Sequence, residues 1–348
     1  MDAVKNPSFD EHEQIVPVSD AATGLAGFIT LHSTALGPAA GGCRMAAYSS
    51  PEAALTDPLR LSQGMSYKNA VAELPAGGGR AVLYKVRDGV DRRAVFEAFG
   101  RTVEALKGGY ITAEDVGTSV DDMEAVSCHT RYVAGLPPRG ARAGGDPSPW
   151  TALGVFVAVE ACIGRPLLGA YIAVQGLGSV GFKLCERLHA AGARLVVADI
   201  SNDRTRQAKD RFGAELVAVD AIHRVQADLF SPNALGAGLN EQIICDLGAP
   251  IVCGGANNQL ATPEDGRRLL ARGVLYAPDH VVNAGGIINV MAEYLNEPET
   301  SVEDRVRAIG RRTRRLLNEA LAEGLPPHEA ADRLARERIG RAANAAAA

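Results

Sequence analysis

Tyr171-Ile-Ala-Val-Gln175-Gly176-Leu-Gly178-Ser179-Val180-Gly181 decides the fold of this chain. A short apolar run ends in Gly-x-Gly-x-x-Gly, and residues 180–191 then carry a helical pattern. The first glycine allows a tight turn, the second lets a pyrophosphate approach the backbone, and the third lets helix and strand pack closely. The helix N-terminus then faces the phosphates. A second apolar run, Arg194-Leu-Val-Val-Ala-Asp199, ends in a carboxylate 18 residues after Gly181. A carboxylate there accepts hydrogen bonds from a ribose 2′-hydroxyl and repels a 2′-phosphate, so the expected cofactor is NAD. Arg204, five residues on, leaves some NADP tolerance open. Strand, glycines, helix, strand and acid fill about thirty residues, the size of one βαβ unit.

Working outward, residues 150–163 read as an apolar helix, and further strand and helix units follow to about residue 283. Residues 136–149, rich in Pro, Gly and Arg, suit no regular element and mark a domain boundary. N-terminal to it, residues 14–32 alternate as two strands around an Asp20-Ala-Ala-Thr-Gly24 turn. A helix then starts at Pro51, capped by Ser49 or Ser50, with Pro58 as a possible kink. Residues 80–84 read as a strand, 91–106 as a helix and 109–116 as another strand. Residues 303–321 and 328–338 read as helices, and the Ala-rich tail is expected to fray. The expected class is α/β, with two domains around a cleft: a substrate and oligomerisation domain over 1–145 and a Rossmann domain over 146–324. Residues from about 325 to 348 are expected to return to the first domain.

The chain has 348 residues, a formal charge of −5, 47% hydrophobic and 22% charged residues, enough to fill two cores. Acidic and basic residues are interspersed, which argues against nucleic acid or an anionic membrane as partner. No apolar leader or membrane-length run is present, so a cytoplasmic protein is expected. The six cysteines (43, 128, 162, 185, 245, 253) stand singly and the seven histidines share no metal spacing, so no metal is expected. The cations divide into six Lys and thirty Arg.

Three N-terminal segments hold residues that a packed element would not want: Gly64-Met65-Ser-Tyr-Lys68, Leu74-Pro-Ala-Gly-Gly-Gly-Arg80 and Thr112-Ala113-Glu-Asp115-Val-Gly-Thr118. With them stand Gly37-Pro-Ala-Ala40-Gly41-Gly-Cys-Arg44, Asp146-Pro-Ser148-Pro-Trp-Thr151, Phe230-Ser-Pro-Asn-Ala-Leu-Gly236, Gly255-Ala-Asn257-Asn258 and Val282-Asn283-Ala-Gly-Gly-Ile287-Ile-Asn289. On these motifs, from about residue 25 to 330, the sequence resembles the Glu/Leu/Phe/Val amino acid dehydrogenase family, most closely its leucine, valine, phenylalanine and tryptophan branch. The resemblance implies that Lys68 pairs with the substrate α-carboxylate, that Asp115 contacts the amino or imino nitrogen and helps move its proton, and that Asn257 also holds substrate. An ammonium at a cleft fixes an amino acid by one end. It also implies cofactor contacts from Ser148, Thr151, Gly176, Gly178, Ser179, Val180, Gly181, Asp199, Asn258 and Asn283. The bland alternatives are a surface ion pair for Lys68 and Asp115 and a turn at Asn257 and Asn258.

Residue 80 departs from the resemblance. The family places there a second lysine, which acts as general base toward the water that attacks the iminium; this chain has Arg80. A buried amine is tunable to about 7 or 8, whereas a guanidinium stays charged with a pKa above about 12. Three readings stay open: an amino acid dehydrogenase with slower proton transfer, an imine reductase acting on a preformed imine, and a noncatalytic NAD-binding homologue. The chain's preference for Arg makes a drift from Lys easy at position 80 and makes Lys68 less like an incidental cation. By resemblance Ala40, Gly41, Met65, Ala113, Ile287 and Val290 line the substrate site. Small Ala40 leaves room for a bulky or aromatic side chain, and the lack of a cation disfavours glutamate. Asn233, where relatives have Cys, suggests no role from sequence. A homo-oligomer built through the N-terminal strands is the partner the resemblance implies.

Overall fold

A computed structural model describes residues 6, 9, 11–86, 89–137, 140–234 and 236–347. Most of the first ten residues, residues 87 and 88, residues 138 and 139 of the boundary segment, Leu235 of its motif and the last alanine lie outside the described residues. The chain divides into two compact units. One comprises Met1–Asp146, Asn289–Val302 and Leu334–Ala348; the other comprises Pro147–Ile288 and Glu303–Arg333. The C-terminal return thus has two parts, and the first of them, Asn289–Val302, has no signature in the sequence.

In the first unit β1 (Gln14–Asp20) and β2 (Leu25–Ser33) pair antiparallel. Their turn closes because Asp20 accepts from the Ala22 and Thr23 amides, and Gly24 takes φ +74°. β3 (Ala39–Ala40) and β4 (Cys43–Ala46) follow, then α1 (Pro51–Val71), β5 (Gly77–Tyr84), α2 (Arg92–Ala105), β6 (Tyr110–Ile111) and α3 (Val120–Ser127). The sheet runs β1-β2-β5-β3-β6, with β4 also on β5. Ser50 caps α1, accepting from the Ala53 amide, with Pro51 in its first turn. The core below the sheet gathers Ile29, Leu83, Phe96, Phe99 and Tyr110, all fully buried.

Two expectations change here. The strand expected over 80–84 begins three residues earlier, at Gly77: at Gly78 an added Cβ would run into the Ser66 amide and the Ser62 carbonyl of α1, so only glycine lets the strand lie that close to the helix. The expected strand over 109–116 stops at Ile111. Beyond it only single bridges form, Thr112 with Val133 and Glu114 with Cys43. The chain turns because the Thr118 amide bonds the Asp115 carbonyl and the Thr118 hydroxyl accepts from the Asp115 amide.

The second unit begins with α4 (Ser148–Ile163) and alternates β7 (Tyr171–Gln175), α5 (Ser179–Ala190), β8 (Arg194–Ala198), α6 (Asn202–Phe212), β9 (Glu215–Leu216), β10 (Leu229–Pro232), α7 (Glu241–Asp246), β11 (Ile251–Val252), α8 (Pro263–Ala271) and β12 (Leu275–Tyr276). All pairings are parallel, in the order β12-β11-β10-β7-β8-β9. This is the doubly wound dinucleotide-binding order, whose ligand crevice lies at the strand carboxyl ends where the order reverses, between β7 and β10.

After α9 (Asp279–Val282), α10 (Gly285–Tyr294) carries the chain from the second unit into the first, α11 (Glu299–Glu323) takes it back to the second from Glu303, and α12 (Pro327–Ala347) ends in the first from Leu334. α12 runs on to Ala347, in keeping with alanine as the strongest helix former.

Candidate functional site

In the first unit the site grows from the contact of α1 with β5. Asn69 donates from its amide nitrogen to the Gly77 carbonyl at 2.6 Å, and its neighbour Lys68, half-buried, occupies the last turn of the helix. Gly64, one turn earlier on the same face, looks into open space where an added Cβ would touch nothing within 4 Å. Ala40 pairs with Gly78 and Ile111, and Gly41 lies so close to β5 that a Cβ would meet the Gly79 carbonyl, with Met65 Cγ 3.2 Å away. The Ala113 carbonyl accepts from the Cys43 amide, which holds Ala113 beside β4. Val290, on α10, is also buried in this unit.

Arg80 comes from the interior of β5, its side chain 8% exposed, and forms an ion pair with Asp115, which is 20% exposed. Arg44 Nε donates to the same Asp115 oxygen, Oδ2, at 3.0 Å. Burial alone would raise the Asp115 carboxyl, but Arg80 and Arg44 overcome it and hold the group below the ordinary carboxylate range. Next to it, Glu114 is pushed up by burial and by repulsion from Asp146 and Asp115. Arg80 Nε is buried with no acceptor among the described residues. Of the expected trio, Arg80 and Asp115 form an ion pair, and Lys68 stands on α1, the helix that packs against β5.

Sequence reading missed Arg44 as a site residue, together with Asp57 and Tyr48. Arg44 Nη1 donates to both Asp57 oxygens at 3.0 and 3.2 Å, and the Tyr48 hydroxyl donates to Asp57 Oδ2 at 2.6 Å. The one available signal was Arg44 closing the Gly-Gly-Cys-Arg motif. Asp57 lies eleven residues before Lys68, close to three helical turns, and so on the same face of α1.

In the second unit the glycine loop suits a dinucleotide. Gly176 takes φ +90°, and a Cβ on Gly181 would strike the Gly176 carbonyl, so the helix can pack on the strand only through glycine. Gly178 faces open space. As N-cap of α5 it offers no side chain, so the first amides of the helix, from Ser179, Val180 and Gly181, are left for an anion. Asp199 stands at the end of β8, accepting from the Leu177 amide through Oδ2 (2.6 Å) and from the Ser201 amide through Oδ1 (2.7 Å). A carboxylate has further lone pairs for a ribose hydroxyl.

Ser148 opens α4, and Thr151, on its first turn, donates to the Pro147 carbonyl at 3.2 Å. Buried Asn283 donates to Asn257 Oδ1 at 2.8 Å, while its own Oδ1 is buried without a donor. That orphaned amide oxygen fits the amide donor of a carboxamide ring. Asn258 takes φ +51° and gives its backbone N–H to Asp279, which leaves its side chain for other contacts. Ile287 is half-buried in α10. Asn233, without a role from sequence, ties two strand ends: its nitrogen donates to Ser231, and its oxygen accepts from the Gly255 amide at 2.8 Å. Among the described residues no group of three or more His, Cys, Asp or Glu is arranged to hold a metal, and no helix is long and apolar enough to cross a membrane.

Comparison with known proteins gives the family. The model of the Glu/Leu/Phe/Val dehydrogenase dimerisation domain matches residues 12–132, and that of Glutamate/Leucine/Phenylalanine/Valine dehydrogenase matches 196–346. A leucine dehydrogenase of Thermoactinomyces intermedius is 44% identical over 334 residues, covering 94% of this chain and 91% of the relative. A valine dehydrogenase of Streptomyces albus is 42% identical, covering 95% and 93%. The crystal structure of L-tryptophan dehydrogenase from Nostoc punctiforme superposes with TM-score 0.82 at 38% identity, covering 95% and 96%. The hetero-hexameric glutamate dehydrogenase of Thermus thermophilus shares the fold, with TM-score 0.78 at 24% identity, covering 95% and 89%. With both domains matched and relatives this similar over nearly its whole length, the chain belongs to the Glu/Leu/Phe/Val dehydrogenase family of NAD-dependent oxidoreductases acting on CH–NH2 groups.

Proposed function

We propose that this protein interconverts an apolar or aromatic L-amino acid with its 2-oxo acid imine, with Lys68 clamping the carboxylate and Asp115 holding the nitrogen. The observation that carries this reading is the Asp115 carboxylate, kept ionised by two guanidinium groups within the fold that carries Lys68. An ionised carboxylate is an acceptor only, suited to the N–H groups of an ammonium or iminium. NAD, when bound, accepts or returns the hydride. Gly176, Gly178 and the first amides of α5 bind its pyrophosphate, Asp199 its ribose, and Ser148, Thr151, Asn258 and Asn283 its nicotinamide end. Ala40, Gly41, Met65, Ala113, Ile287, Val290 and Asn257 complete the substrate's surroundings. The protein works in the cytoplasm as a homo-oligomer assembled through its N-terminal domain, a reading supported by the dimerisation-domain match.

The Arg80 and Asp115 pair also favours a second reading. Neither a permanent guanidinium nor a carboxylate held ionised offers a base with a pKa near 7, so activation of the attacking water is poorly served. Reduction of a preformed imine needs no such water. NADH oxidation with phenylpyruvate or 4-methyl-2-oxopentanoate plus ammonia, run beside cyclic imines, separates the two. Faster turnover of keto acids supports the dehydrogenase, faster turnover of imines the imine reductase, and NADH binding without any turnover defeats both.

A further inference from the structure

Asp115 is engaged on one side only. Arg44 and Arg80 both meet Oδ2, whereas Oδ1 receives no hydrogen bond from any described residue and the side chain keeps 20% of its surface open. Its backbone is fixed as well, because the Asp115 amide donates to the Thr118 hydroxyl, which donates to the Cys43 carbonyl of β4 at 2.9 Å. Arg44 is held in turn from behind by both oxygens of Asp57, and Tyr48 holds Asp57. The result is an alternating chain: Tyr48 hydroxyl, Asp57 carboxylate, Arg44 guanidinium, Asp115 carboxylate, Arg80 guanidinium.

We propose that Arg44, anchored by Asp57 and Tyr48, is a positioning residue that keeps Asp115 turned with Oδ2 occupied and Oδ1 presented to the substrate nitrogen. The assignment rests on the reading of Asp115 as the nitrogen's partner. Two guanidinium groups and two carboxylates leave this chain with no net charge, so Arg44 adds orientation without adding a field that repels a cationic substrate nitrogen. Arg80 alone could not do this, since a single ion pair leaves the carboxylate free to rotate about its own bond. The groups set against Asp115 are Arg80 from β5, Arg44 and the buried Cys43 thiol from β4, and Glu114 beside it, with Asp57 of α1 behind Arg44. Glu114 is the one group here whose raised carboxyl could be mistaken for Asp115, so Glu114→Gln serves as control.

The test follows the side-chain carboxyl of Asp115 by carbon NMR on aspartate-labelled full-length protein, with Asp115→Asn giving the assignment, alongside pH profiles of kcat/KM. In Arg44→Gln the Asp115 midpoint should rise by about one pH unit or more, and the acid limb of kcat/KM should move up with it. Arg44→Lys keeps the cation but cannot span Asp57 and Asp115 together, so its limb stays in place while KM rises about fivefold or more and kcat changes less than about twofold. A purely structural Arg44 would lower activity at every pH and leave the midpoint unmoved, and that outcome overturns the proposal. If Arg44→Gln fails to fold, an unchanged KM in Arg44→Lys overturns it equally. A shifted midpoint in a protein that turns over no substrate overturns the functional reading and leaves the hold of Arg44 on Asp115 standing.

Discussion

The guanidinium of Arg80 is ion-paired with the carboxylate of Asp115, and the cation is the more deeply buried partner, 8% exposed against 20%. Removing the anion leaves a buried charge short of its counter-ion. Asp115→Asn should therefore destabilise the first unit by about 3–5 kcal/mol at neutral pH. A carboxyl lowered in the folded state adds stability that is complete above its ordinary value near 3.8 and is lost as pH falls through the lower folded value. Urea unfolding of wild type and variant should thus differ at pH 7 and converge in strong acid. A gap that persists unchanged at the acid end contradicts this account.

Arg80→Lys restores an amine that can lose its proton. Reductive amination of a keto acid should rise at least tenfold, ~1.4 kcal/mol of barrier, and the profile of kcat/KM should gain a limb near neutrality. Brisk wild-type amination with no gain in the lysine variant shows that residue 80 does not limit proton transfer.

Gly64→Ala separates fold from binding. The position is helical and opens onto empty space, so alanine should stabilise α1 by about 0.5–1 kcal/mol. If that space receives substrate beside Lys68, KM rises several-fold as the melting temperature goes up. A rise in stability with unchanged KM places the substrate elsewhere.

Asp199→Ala removes both the ribose acceptor and the charge that repels a 2′-phosphate. Fluorescence titration should show NADH binding weakened by about tenfold, with NADPH binding unchanged or tighter, since a lost charge-assisted hydrogen bond is worth about 1.5–3 kcal/mol. Parallel losses for both cofactors would mean that Asp199 acts only through its bonds to the Leu177 and Ser201 amides.

The parts of this molecule that depend on local spacing were legible in the sequence. Tyr171–Gln175 is the strand its apolar run suggests, the glycine loop opens α5, and the Pro51 helix has the Ser50 cap. What the sequence hid depends on partners far apart in the chain. Arg44 and Asp115 stand 71 positions apart, so no periodicity announces their contact. The two-residue strands β3 and β6 are too short to carry an alternation, and Gly77-Gly-Gly falls outside the strand read over 80–84 because strand propensity is low for glycine. There the close approach of α1 outweighs propensity, a tertiary requirement invisible in the segment itself.

That approach has a consequence for how the chemistry can change. Where Gly77-Gly-Gly of β5 meets α1 the strand brings no side chain of its own, and the helix meets it with the Ser62 carbonyl, the Ser66 amide and hydroxyl and the Asn69 amide. The residue that follows the three glycines can be exchanged, amine for guanidinium, without altering the seam that sets its strand beside the helix of Lys68. Under the proposed function, scaffold and reactivity are thus separable, because the side chain at position 80 can change while the glycine seam that places it stays as it is.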